Sequence, residues 1–131
     1  MGERMGTWRA MFAVAAVFNF AVGLPFLLQP EIIFSAVGQP VPTDVMFVRL
    51  AGALIATFGL GYAMVSYDPY ANRPIVWLGV IGKFPMPVIL WFYLQAGLIP
   101  VSSFAVTLGD AAFVVLFGLF LLTTTREKGA A

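Results

Sequence analysis

The sequence predicts an all-α integral membrane protein: four transmembrane helices in an up-down antiparallel bundle, with a short interfacial helix after the first span. Three observations predict it. Of the 131 residues, 61% are hydrophobic and 10% are charged, whereas soluble domains are about 45–50% apolar and about 25% charged. Mean hydropathy is +0.96. The apolar residues gather into four runs of about 20 residues, the length that crosses a bilayer as helix. A soluble fold of this composition would lack the polar surface to cover itself. Four such runs leave almost nothing outside the membrane, so residues 1–131 form a single four-helix transmembrane domain.

The first span covers residues 7–28, and Gln29-Pro30 ends it. Arg4 and Arg9 precede the apolar run, and Ala21-Val22-Gly23 resembles a signal-peptide cleavage site. We read the segment as a retained span. Pro25 inside it frees the Ala21 carbonyl. The stretch from Glu31 to Val37 lies between Pro30 and Pro40. It is too short to cross, so it reads as an interfacial turn of helix. Thr43 is placed to cap the second span, over 44–67. Asp68-Pro69-Tyr70-Ala71-Asn72-Arg73-Pro74 is a tight loop, with Pro74 suited to a helix start. The third span covers 74–96. Pro85 and Pro87 remove the donors for the carbonyls of Ile81 and Lys83, which predicts a kink and a local cavity beside Lys83. After the loop at 97–103, the fourth span covers 103–125.

Lys and Arg counts in short loops set orientation. Arg4, Arg9, Arg73, Arg126 and Lys128 lie at the termini and in the second long break, and the first and third breaks hold no basic residue. The expected location is therefore a bacterial plasma (inner) membrane, multi-pass, with both termini cytoplasmic. Trp8, Tyr67, Tyr70 and Trp77 fit an inner aromatic belt, and Trp91 with Tyr93 an outer one.

Missing residues narrow the chemistry. The chain has no Cys and no His, hence no disulfide, thiolate nucleophile, iron–sulfur site, common zinc site or histidine haem ligand. No Gly-rich phosphate loop and no Gly-x-Ser-x-Gly elbow occurs. Seven Lys/Arg against six Asp/Glu give no basic patch for nucleic acid. No cofactor, metal or catalytic residue is expected. No internal repeat of the inverted-transporter kind is evident.

Ionisable groups within a span are costly and usually face the bundle interior or a partner. Arg49, Lys83 and Asp110 are such groups, and Asn19 joins them as a neutral polar one. At 1.5 Å per residue, Asn19 lies about 13 Å below the outer helix end, Arg49 about 7 Å, Lys83 about 20 Å and Asp110 about 10 Å. Asp110 therefore falls between the two bases and is within reach of either. This predicts a polar cluster of Asn19, Arg49, Lys83 and Asp110, with Lys83 and Arg49 pointing inward. The cluster is a structural ion pair, or a pocket whose surplus positive charge attracts a phosphate or carboxylate, or else Arg49 simply snorkels to the outer headgroups. Small residues (Ala15 and Gly23 beside Asn19; Gly52, Ala56 and Gly59 beside Arg49; Gly79; Gly109) share the faces of the polar ones, which places those faces against other helices.

The order of Phe18-Asn19 with Gly23, Arg49 with Gly52, Tyr67-Asp68-Pro69, Asn72-Arg73-Pro74, Gly82-Lys83, and Asp110 with Phe113 and Leu116-Phe117 resembles the small four-helix bacterial membrane proteins of the DoxX-like type. The resemblance implies a four-helix bundle and association with membrane oxidoreductase systems. It carries over no catalytic residue.

Three function classes follow. The first is a non-catalytic accessory subunit, or a lipid- or small-ligand-binding bundle, whose partners are membrane lipids, a larger membrane complex or a second copy. The second is a small dimeric proton-linked transporter using Asp110. The third is a lipid-modifying enzyme in which the Lys–Asp pair works with Tyr62 or Tyr93.

Overall fold

The structure, a computed structural model, describes residues 2–130 and the side chains of residues 4–124. Arg126 and Lys128, used in the orientation argument, lie outside the residues with described side chains. The described residues form α1 (Gly2–Leu28), α2 (Glu31–Val37), α3 (Met46–Tyr67), α4 (Arg73–Lys83), α5 (Pro85–Gln95) and α6 (Val101–Ala130), with no strand among them. Four stretches are long and apolar enough to cross a membrane: Arg4–Leu28, Met46–Tyr67, Arg73–Gln95 and Val101–Thr124. They follow the expected spans within a few residues.

Local chemistry explains most boundaries. The predicted interfacial helix forms as α2. It ends at Gly38, whose φ of 72° is left-handed and open to glycine. There the Gly38 and Gln39 N–H groups donate to Ser35 O and Phe34 O, closing a Schellman motif. Gly97 ends α5 in the same way, with φ 73°. Pro74 sits in the first turn of α4, as expected. Thr43 does not cap α3: the helix starts later, at Met46, and the Asp44 carboxylate accepts from the Met46 N–H at 2.9 Å. The third span is bent rather than cut. Phe84 keeps helical angles (φ −58°, ψ −45°) and still donates to Val80 O, while Pro85 and Pro87 supply no donor.

Two seams organise the packing. The start of α1 meets the end of α3, where the Arg9 Nε donates to Ser66 O and the Ser66 hydroxyl to Arg9 O. The end of α1 meets the start of α3, where Arg49 donates to Leu27 O. Between them the backbones nearly touch. A Cβ on Gly52 would lie 2.4 Å from the Leu27 nitrogen, and one on Gly23 2.6 Å from the Ala56 nitrogen. The small stripes read from sequence are therefore this seam. In the second seam the start of α4 meets the end of α6: Arg73 donates to Thr124 and Leu121 O and lies over the Phe120 ring. At the far end Trp91 of α5 packs on Phe104 of α6.

The core is lopsided. Phe12, Tyr62, Val65, Val76, Phe117 and Phe120 are all but fully buried, in the half that holds the N-terminus of α1 and the C-terminus of α6. Phe12 stacks on Phe117 and meets Phe120 edge-on, each at 5.1 Å between centroids. Such pairs contribute about 0.5–1.5 kcal/mol beyond area burial. α5 and α2 contain no buried residue. The half beneath α2 is hollow.

Candidate functional site

The hollow is a cavity of about 530 Å³ lined by α1, α2, α3, the α4–α5 bend and α6. At its deep end sits Lys83, only 4% exposed although it lies mid-span. Its Nζ donates to Asn19 Oδ1 and to Asp110 Oδ1, both at 2.8 Å. The ammonium also lies 5.0 Å from the Phe18 ring centroid and 5.4 Å from those of Tyr62 and Phe113. Ring faces attract a cation at these distances. Asn19 is itself oriented by donating its amide to Ile55 O at 3.0 Å. Each part of this arrangement has a local cause. Gly109 leaves room for Phe18, since a Cβ there would lie 2.6 Å from the ring. Gly79 leaves room for Tyr62 in the same manner.

Three of the four expected residues meet: Asn19, Lys83 and Asp110. The fourth does not. Arg49 is exposed, lies away from the cavity lining, and donates to Leu27 O at 2.6 Å and Leu28 O at 3.4 Å. The expectation that it points inward to Asp110 is corrected. The last carbonyls of α1 have no donors within the helix and carry the negative end of its dipole, so a guanidinium one helix away is drawn to them. The consequence is electrostatic: the cavity holds one cation and one anion, with no surplus positive charge.

Sequence reasoning also passed over part of the lining. Ser103, Thr107 and Asp110 stand at i, i+4 and i+7, so they form one polar face of α6 directed at the cavity. That spacing was the available signal. Ser103 donates to Gln39 Oε1 at 2.6 Å, and the neighbouring Ser102 donates to Val37 O, so α2 is fastened over the cavity end. Phe26 and Phe34 stack beneath it at 5.9 Å. Tyr62 lines the deep end, whereas Tyr93 is half exposed on α5 and does not.

Most of the wall is apolar, including Val22, Phe26, Ile55, Phe58 and Val106. The lining residues that are exposed, namely Ala51, Leu54, Gly82 and Met86, all lie on α3 or the α4–α5 bend. The cavity therefore opens sideways, between α3 and the bent third span. Among the described residues, no group of three or more His, Cys, Asp or Glu could hold a metal ion. Comparison with family models, with curated proteins and with solved structures finds no match to this chain.

Proposed function

We propose that this protein is a non-catalytic integral membrane protein that binds a lipid or another elongated, largely apolar small molecule. In this reading the four apolar stretches span the bilayer as an up-down antiparallel bundle. Both termini are cytoplasmic, in a bacterial inner membrane, because the basic residues cluster at the termini and around Arg73. One observation carries the binding function. A cavity of about 530 Å³ has apolar walls and a polar deep end, and its mouth lies on the flank of the bundle. That volume falls within the range of about 300–1,000 Å³ found for small-molecule sites. A flank mouth faces acyl chains once the helices span, so a ligand reaches the cavity from the lipid phase. The resemblance to DoxX-like proteins is part of the proposal and rests on the residues named for it above.

The transporter alternative gains no support from the geometry. The Asp110 carboxylate is engaged by Lys83, and no second carboxylate lines the cavity.

The test is purification in mild detergent, followed by solvent extraction and mass spectrometry of the bound small molecules. The wild-type protein should retain an amphiphile in near-stoichiometric amount. Gly82→Leu should lower its occupancy, because Gly82 lines the exposed mouth of the cavity, a Cβ there meets nothing within 4 Å, and a leucine would narrow the entry. A wild-type protein that carries no amphiphile and takes up no photoreactive lipid in vesicles would overturn the proposal.

A further inference from the structure

The deep end of the cavity presents two polar atoms that the protein leaves unused. Asp110 accepts from Lys83 through Oδ1, and no described residue donates to Oδ2. Tyr62 is 1% exposed, and its hydroxyl makes no hydrogen bond with any described residue. No buried side-chain N or O among the described residues is sealed away without a partner. The small exposure that Tyr62 retains is therefore at its hydroxyl, and Tyr62 lines the cavity. A phenol that is 1% exposed and has no hydrogen-bond partner is an expensive arrangement. A ligand oxygen would relieve it.

Charge decides which heads fit. Lys83 and Asp110 cancel, and Arg49 is elsewhere. The two members of the pair are not equally open, with side-chain exposures of 5% for Lys83 and 16% for Asp110. The ammonium is closed in by two oxygens and three rings, so an arriving head meets the carboxylate first. An anionic head would be repelled there without reaching the cation. A cationic head would gain little, because Lys83 stands 2.8 Å behind the carboxylate. A neutral head with one hydroxyl donor and one oxygen acceptor matches both free atoms.

Resting on the ligand-binding reading above, we propose that the cavity takes an amphiphile with an electroneutral, hydroxyl-bearing head, of the long-chain alcohol or monoglyceride class. The head hydroxyl donates to Asp110 Oδ2, and a head oxygen accepts from the Tyr62 hydroxyl. The tail runs along Val22, Phe26, Ile55 and Leu54 toward the flank mouth.

The experiment compares two probes of equal tail length, 1-oleoylglycerol and oleyl phosphate, on the full chain in nanodiscs. Occupancy is read by native mass spectrometry across a concentration series. 1-Oleoylglycerol should bind at least about tenfold more tightly than oleyl phosphate, a difference of about 1.4 kcal/mol. Tyr62→Phe keeps the ring that faces Lys83 and removes only the hydroxyl. It should weaken 1-oleoylglycerol about tenfold without lowering the melting temperature of the ligand-free protein, since that hydroxyl has no protein partner to lose. Oleyl phosphate binding as tightly as 1-oleoylglycerol would overturn the neutral-head assignment while leaving the cavity as a lipid site. Equal affinities for wild type and Tyr62→Phe would remove Tyr62 from it. If neither probe binds and no amphiphile co-purifies, the ligand-binding reading falls and this proposal falls with it.

Discussion

Replacing Asp110 with alanine isolates what the intramembrane ion pair contributes. The substitution removes the anion of Lys83, a residue only 4% exposed in the wild-type protein. Removing one partner of a buried pair costs about 3–5 kcal/mol, because the stranded charge keeps its desolvation penalty. The remaining surroundings soften this. Asn19 Oδ1 stays at 2.8 Å, and three ring faces stay at 5.0–5.4 Å. The low end applies, about 3 kcal/mol. For a chain between the small and mid-sized classes, about 4 °C per kcal/mol gives a melting-temperature drop of roughly 12 °C. The assay is thermal unfolding of purified protein in detergent, followed by circular dichroism. Lys83→Met combined with Asp110→Leu removes both charges and should recover most of the loss, as apolar replacements of buried pairs often do. Asn19 then keeps its bond to Ile55 O. An Asp110→Ala protein melting within about 3 °C of wild type would refute the reasoning. A double variant less stable than the single one would refute it as well.

Four further outcomes are expected. Gly52→Ala should lower stability by roughly 2–3 kcal/mol, since its Cβ would lie 2.4 Å from the Leu27 nitrogen and 2.8 Å from Gly23 O. Gly118→Ala, with nothing within 4 Å of its Cβ, should be neutral or stabilising by up to about 1 kcal/mol in the same melts. Arg49→Ala should cost about 1 kcal/mol through the lost bonds to the α1 terminus, yet leave 1-oleoylglycerol affinity unchanged, because Arg49 does not line the cavity; a parallel loss of affinity would contradict that placement. The chain contains no Cys, so single cysteines report topology cleanly. Val41→Cys should react with an impermeant thiol reagent from the periplasmic side and Ala71→Cys only after permeabilisation, and the opposite pattern would reverse the orientation.

The sequence by itself determined the linear plan: where four apolar stretches begin and end, that residues 31–37 form a separate short helix, and that the third span bends near its prolines. These features depend on run length, on missing N–H donors and on glycine at helix ends, all of which act within a few residues. The meeting of Lys83 with Asp110 was also within reach, because an unpartnered charge at that depth is expensive and depth follows from counting residues. What only the tertiary structure decided is how each helix is turned about its axis. Lipid and bundle interior are both apolar, so an apolar side chain has little preference between them, and amphipathic patterning says little about rotation. Arg49 and Asn19 illustrate the result. Both lie within a helical span, yet one reaches the carbonyls that end α1 and the other holds Lys83. The same indifference hid the flank opening between α3 and the bent span, and the placing of Tyr62 in the cavity wall. The backbones approach at Gly23 and Gly52, and the Tyr62 and Phe117 rings crowd Gly79; these approaches are set by how the helices pack together and not by any one segment.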